Sequence, residues 1–568
     1  MASFMDVANN KNRWIWQIFS DSTFEIFSVI IASTISYFLQ IFIALFAMII
    51  YNKIVPNNAI DTLFTVAIGV CIIIFSDFLF KILKSRIQQN QNKRLDLKLS
   101  DNLYEKILNW DLQSVPKLPG SSALLLRDVD TVVQLFGSAS INVIVGIPFI
   151  FIYILVIYLV ASTLAYVTLA AAFCSFLVVM IYFKFIERTS QDAKNAQIEK
   201  SAAFIETLNN IEGVKSLGSY GHFLKKWRKV QYFNADHSER LNTFISDATT
   251  VTGLITSLAQ VMVLAVGAYL IFTGQMSSGS LIAAVMMHGR AQQPLQAMMQ
   301  FLMRYSVAKT AIRRLDGVLN TQSNEEQRRE NIKVSKLSSQ VTFRNVEFTV
   351  GEVQRSVLSV PVLAFPPGQK VGILGSVGSG KSTFIKLLSG VLTPTEGSVA
   401  YGPYDTSAID QSVLRGSVAY LGQQPAIFSG SIRDNISLSK PDATDDEIEK
   451  ALELSGFDRI LKGFPNGLSF ILAEGGRELS GGQQQILALA RTLLSNPEVI
   501  ALDEPTSAMD PRHEVLFIKR MKEFTKNRSF FVVTHRRPIL SLVDRVIVIE
   551  NGRIVMDGER DEVLSKFS

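Results

Sequence analysis

Two glycine-rich turns hold the residue types that could do chemistry. The first, "GSVGSGKST", spans Gly375–Thr383 between an apolar run, "KVGIL", and a helical run, "FIKLLSGVL". Strand, glycine loop and helix in that order is the context a phosphate cradle requires. Gly375, Gly378 and Gly380 let the backbone curl, so that the N–H groups of the loop, from Ser376, Val377 and Ser379 on to Thr383, can surround phosphates. Lys381 is placed to reach the β- and γ-phosphates, and the Ser382 hydroxyl suits Mg²⁺. The second turn lies in "ELSGGQQQI", Glu478 to Ile486, where Ser480, Gly481, Gly482 and Gln483 open onto a helical segment. Exposed N–H groups at a helix N-terminus also invite an anion, so the chain raises the question of why it needs two such turns.

Other residues converge on the first turn. "VIALDEP" reads as a buried strand ending in Asp503 and Glu504. Asp503 can hold Mg²⁺ through water, and Glu504 is placed to polarise an attacking water, which is general-base work. "FFVVTH" is another apolar strand, with His535 at its polar tip. Three strands ending at one crevice is the usual ligand position of an open α/β sheet, so His535 is expected to touch the γ-phosphate. These residues imply a nucleoside triphosphate and Mg²⁺ as its counter-ion.

The elements that must position this chemistry divide the chain in two. With 568 residues it is too long for one soluble core. Hydrophobic residues make up 48%, and they crowd into the first half as long runs. Six spans are expected, at Ile26–Ile50, Leu63–Leu83, Val143–Val160, Leu164–Phe183, Val251–Phe272 and Leu281–Met303. The last two carry Gln260, His288, Arg290 and Gln293, polar groups that usually face a bundle interior. Lys and Arg cluster after spans two, four and six and before span five, while the opposite loops hold only Lys53. The positive-inside rule then places both termini in the cytoplasm.

The segments Lys84–Asn142 and Lys184–Thr250 keep apolar residues at three- and four-residue spacing, so the spans are expected to run on as helices beyond the membrane. The expected organisation is an N-terminal cytoplasmic or interfacial segment (1–24), a six-helix membrane domain (25–315), a polar linker (316–338) and a nucleotide-binding domain (339–568). The net charge of +6 fits basic membrane flanks, and no basic stripe interleaved with aromatics points to nucleic acid. Cys71 and Cys174 lie in apolar runs and read as buried thiols without a disulfide framework or metal spacing. The first residues do not read as a secretory signal.

These motifs in this order resemble the ABC transporter family, over nearly the whole chain. The resemblance implies an α-helical six-span membrane domain joined to an α/β P-loop ATPase, with ATP as the nucleotide. It assigns the Walker A loop to Gly375–Thr383, the Q-loop glutamine, a Mg²⁺ ligand, to Gln423, and the signature "LSGGQ" to Leu479–Gln483. It assigns the Walker B pair to Asp503 and Glu504, the D-loop to "SAMD" ending at Asp510, and the switch histidine to His535. "AEGG", Ala473–Gly476, is similar to the exporter-type loop before the signature. In this family two nucleotide domains stack head to tail, so the second turn belongs to another molecule's ATP. One such domain per chain implies a homodimer.

Segments such as "FIETLNNIEGVKSLG" and "GRAQQPLQAMMQFLMRYSVAKTA" resemble the type I protein secretion subgroup. That resemblance implies residence in the bacterial inner membrane among lipids, a secreted protein substrate, a periplasmic adaptor and an outer-membrane channel. A lipid or drug exporter of the same architecture is the alternative, and a nucleotide-gated channel a more distant one. Three departures stand out. No peptidase-like domain precedes the first span, so cargo processing by this chain is not expected. The family's adenine-stacking aromatic falls at Val350, where loss of a π face should weaken adenine binding by roughly a kilocalorie per mole. Gln484 and Gln485 stand where many relatives carry a basic residue.

Overall fold

A computed structural model describes residues 14, 23–110, 119–319, 334, 337–350 and 355–566. The chain forms two compact units. One holds residues 1–108 and 116–321, the other 109–115 and 322–568. Most of the 1–24 segment and of the 316–338 linker lies outside the described residues.

The first unit is helical. Its long elements are α1 (Thr23–Ile49, continued by a π turn at Ile50–Ile54), α2 (Ile60–Leu108), α3 (Pro119–Gln134), α4 (Ser140–Val160), α5 (Ser162–Asn209), α6 (Tyr220–Phe272) and α7 (Ser278–Leu319). At 1.5 Å per residue, α2, α5 and α6 are each about 70–80 Å long, more than twice a hydrocarbon core of about 30 Å. The spans therefore do continue as unbroken helices. Ala161 alone separates α4 from α5. Trp14, ahead of α1, donates its indole N–H to Asp316 near the end of α7, at 3.1 Å.

Five helices, among the described residues, are long and apolar enough to cross a membrane: those containing α1, α2, α4, α5 and α6. The sixth expected span, α7, has the length, but His288, Arg290, Gln292 and Gln293 interrupt its apolar run. Two of these polar positions face inward, while Arg290 is half-buried and Gln293 exposed. His288 and Gln292 are buried, and His288 Nδ1 lies 3.1 Å from the Thr168 hydroxyl of α5. Pro294 of α7 packs against Gly146 of α4, where a Cβ would stand 3.0 Å from the proline ring. The two cysteines are exposed rather than buried. An apolar run that faces lipid carries its thiols outward, a distinction that composition alone does not make.

The second unit is built on a ten-stranded sheet. Its strands are β1 (Val341–Val350), β2 (Arg355–Phe365), β3 (Lys370–Leu374), β4 (Glu396–Tyr401), β5 (Tyr404–Asp405), β6 (Val418–Leu421), β7 (Val499–Asp503), β8 (Ser529–Val533), β9 (Arg545–Glu550) and β10 (Arg553–Glu559). They lie in the order β5-β4-β1-β2-β10-β9-β3-β8-β7-β6. β9, β3, β8, β7 and β6 run parallel to one another. As expected of parallel strands covered on both faces, β7 and β8 are buried throughout and apolar except for Asp503 and Ser529. Three further helices matter to the site: α8 (Lys381–Leu388), α9 (Gly481–Leu494) and α10 (Pro511–Phe524). Phe384 of α8 stacks on Phe343 of β1 at 4.7 Å, with Phe365 edge-on to both and Phe531 edge-on to Phe365, so α8 is anchored to the core beneath it.

Candidate nucleotide site

The parallel register sets the site. Val533 pairs with Ile373 on one side and with Asp503 on the other. The ends of β3, β8 and β7 therefore deliver Gly375, Thr534–His535 and Asp503–Glu504 to one edge. β6 pairs alongside β7, Leu421 opposite Leu502, and Gln423 follows two residues later as an exposed side chain.

The loop after β3 needs its glycines for different reasons. Gly375, Gly378 and Gly380 all have positive φ. A Cβ on Gly375 would meet the Ile549 carbonyl at 2.1 Å, whereas one on Gly378 meets nothing within 4 Å. Gly378 thus serves backbone conformation and leaves space over the loop. Val377 stands at the tip, 94% exposed. Lys381 begins α8, is buried, and donates to the carbonyls of Gly375 (2.9 Å) and Ser376 (2.7 Å). Ser379 Oγ is buried with no hydrogen-bond partner. A cation folded onto its own loop, an orphaned hydroxyl and a ring of helix-start N–H groups fit a polyphosphate.

The carboxylates lie beside them. Asp503 is 2% exposed, and its neighbour Glu504 adopts a left-handed backbone, φ 54°. A non-glycine residue held there is strained, and its backbone N–H is pinned to the Val533 carbonyl at 2.9 Å. Glu504 Oε1 is 3.5 Å from His535 Nε2. Burial pushes the Glu504 carboxyl above its ordinary range, with the His535 ring pulling the other way. Asp503 is likewise raised by burial, opposed first by its bond to the Ser382 hydroxyl. Lys381 is lowered by burial, against the pull of Glu504 and Asp503. Asp503 and Ser382 together offer hard oxygens suited to Mg²⁺, which commonly takes one or two protein ligands with substrate phosphates. Among the described residues no cluster of three or more His, Cys, Asp or Glu side chains could hold a metal by itself.

The second turn is built otherwise. Ser480 N-caps α9 in a reciprocal box: its hydroxyl accepts from Gln483 N at 3.4 Å, and Gln483 Oε1 accepts from Ser480 N at 2.9 Å. Gly482 is required by close approach, since a Cβ would stand 2.5 Å from the Ala508 carbonyl of the D-loop. Gly481 faces open space.

Two residues outside the expected set tie these parts together. Gln485 is 2% exposed and donates to the Glu504 carbonyl at 2.6 Å, while its amide oxygen takes Ala508 N at 3.4 Å. Arg536 clamps the D-loop through the carbonyls of Ser507 (3.0 Å) and Met509 (3.1 Å) and pairs with buried Glu514 at 3.1 Å. Gln484 reaches back to the carbonyls of Gly475 and Gly476, holding the loop before the signature. The two glutamines thus have structural work that the sequence did not explain.

A glycine cradle with a buried lysine, a strand-end carboxylate pair and a helix-capping Ser-Gly-Gly turn define a P-loop nucleotide-binding ATPase, here joined to a helical membrane unit. The family model described as ABC transporter transmembrane region matches residues 26–295, and that described as ABC transporter matches 358–507. The chain belongs to the ABC transporter family, and its ATPase is coupled to transport. It is 28% identical to the cyclolysin secretion/processing ATP-binding protein of Bordetella pertussis, over 94% of this chain and 75% of that protein. It is 27% identical to the leukotoxin translocation ATP-binding protein of Mannheimia glucosida, over 93% and 75%. The toxin RTX-I translocation ATP-binding protein of Actinobacillus pleuropneumoniae is also 27% identical, over 94% and 75%. The fold is similar to a bacterial Atm1-family ABC exporter with ATP bound, with TM-score 0.82, 20% identity, and 98% and 97% of the two chains covered.

Proposed function

We propose that this chain is the ATP-driven export subunit of a type I protein secretion system and works as a homodimer. The observation that carries the dimer is the unequal construction of the two turns. One chain supplies a complete cradle at Gly375–Thr383, with Lys381, Ser382, Asp503 and Glu504 beside it. It also supplies a Ser480–Gln483 turn whose Gly481 fronts open space. A second copy presents that turn to the first copy's γ-phosphate, so that ATP joins the two chains and its hydrolysis releases them.

In this reading Lys381 and the loop N–H groups hold the phosphates, and Ser382, Asp503 and Gln423 would hold Mg²⁺, which would supply neutralisation of phosphate charge. Glu504 takes the proton of the attacking water, and His535 orients that carboxylate and contacts the γ-phosphate. The left-handed backbone of Glu504 aims its side chain to the crevice shared with His535. Six helices, α7 included, cross the bacterial inner membrane with both termini cytoplasmic. The Lys and Arg residues that follow the apolar runs within α2, α5 and α7 set that orientation.

The cargo assignment is supported by relatives named for secreting or translocating toxins, alignable over more than nine-tenths of this chain. A periplasmic adaptor and an outer-membrane channel complete the path. The test is the ATPase of purified chain in lipid. A C-terminal secretion-signal peptide from a co-encoded large protein should change its rate saturably. A response to small amphiphiles or lipids with none to the peptide would instead mark a lipid or drug exporter.

A further inference from the structure

We propose that the junction of α5 and α7 at the membrane boundary is a binding site for the phosphate headgroup of an anionic glycerophospholipid. A cavity of about 310 Å³ opens there, and its walls carry Lys184, Arg188, Lys309 and Arg313 against one acid, Glu187. Glu187 is committed to Lys309, at 2.7 Å. Among the described residues no carboxylate pairs with Lys184, Arg188 or Arg313, so three cations share one small polar cavity without counter-ions. Like charges held this close repel one another, and the arrangement persists at least cost with an anion between them.

The position selects a lipid over a soluble anion. Lys184 directly follows Phe183, the last residue of the apolar run of α5. Leu177, Ile181, Lys184 and Arg188 recur at intervals of four, three and four, which places them on one helical stripe. That stripe is apolar and open above the cavity, with Leu177 43% and Ile181 56% exposed, and basic at it. An acyl chain lying along Leu177 and Ile181 would bring its phosphate to Arg188 and Arg313. The cations of α5 and α7 then join two helices through one headgroup, where ordinary snorkelling side chains would each find the interface alone.

The experiment is native mass spectrometry of the full chain released from nanodiscs holding equal amounts of phosphatidylcholine and phosphatidylglycerol. The wild-type chain should retain phosphatidylglycerol in preference. An Arg188→Gln, Arg313→Gln double variant should bind it roughly thirtyfold more weakly, at about a kilocalorie per mole for each basic residue. An Arg228→Gln, Lys229→Gln control on α6 should retain it as the wild type does. Equal retention of the two lipids by the wild type, or the same loss in both double variants, overturns the proposal. Retention that excess inorganic phosphate or an acidic peptide abolishes marks a soluble-anion site and overturns it too. Unchanged basal ATPase in the Arg188, Arg313 variant confirms that the variant is folded.

Discussion

The two glycine-rich turns answer different physical demands. The Gly375–Thr383 loop spends its glycines on backbone conformation and on a carbonyl wall, with positive φ at three positions and Ile549 O pressed against Gly375. It has a lysine and two strand-end carboxylates to hand. The Ser480–Gln483 turn has regular capping geometry, one glycine forced by the D-loop and one facing open space. The first turn is complete within its chain. The second offers donors and lacks everything else a nucleotide needs, and that asymmetry is why a second molecule enters the account.

The contrast can be broken at several points. The largest effect is expected at Glu504. Replacing it with Gln should leave ATP binding intact and lower turnover by at least about a hundredfold, the scale of a lost general base. Phosphate release in single-turnover assays checks this. Lys381→Ala should weaken ATP binding by about ten- to a hundredfold, the range of a lost charge-assisted contact, as read by equilibrium nucleotide binding. A Ser480→Arg substitution should spare binding to the isolated chain and abolish ATP-dependent pairing, so the two variants separate the turns by assay.

Smaller effects sharpen the link between the turns. Gln485→Leu removes the bond to the Glu504 carbonyl and strands D-loop groups. It should cost about 1–3 kcal/mol, seen as a lower melting temperature together with slower turnover. The pH profile is subtler. Burial raises Glu504, so the acid limb of the ATPase should lie above the ordinary glutamate range, with activity lost as pH falls through the raised value and a proton occupies the base. His535 opposes that rise, so His535→Ala should move the limb further up.

Much of the site was legible because it is local. The loop, the strand before it and the helix after it are contiguous, and so is the capping box at Ser480–Gln483. The carboxylate pair at the end of β7 follows from four apolar residues and two acids. What could not be read were bonds between distant positions. Gln485 meets Glu504 nineteen residues on, and Arg536 meets Ser507 twenty-nine residues back, both through backbone carbonyls that have no sequence signature. In the membrane unit, apolar runs marked six spans, five of which meet the apolar measure among the described residues, but not which face they bury. Cys71 and Cys174 therefore turned out exposed, and the inward polar face of α7 leaves it short of the apolar measure that the other five meet.

The central claim is that the cradle of one chain meets the signature turn of another. It is tested most directly with two differently tagged chains, both Glu504→Gln and free of Cys71 and Cys174, one carrying Val377→Cys and the other Gln483→Cys. After mixing, a short bifunctional thiol linker should join the two tags when ATP and Mg²⁺ are present, and markedly less without nucleotide. Linkage between tags that ignores ATP, or its absence when ATP is shown to be bound, would contradict the account.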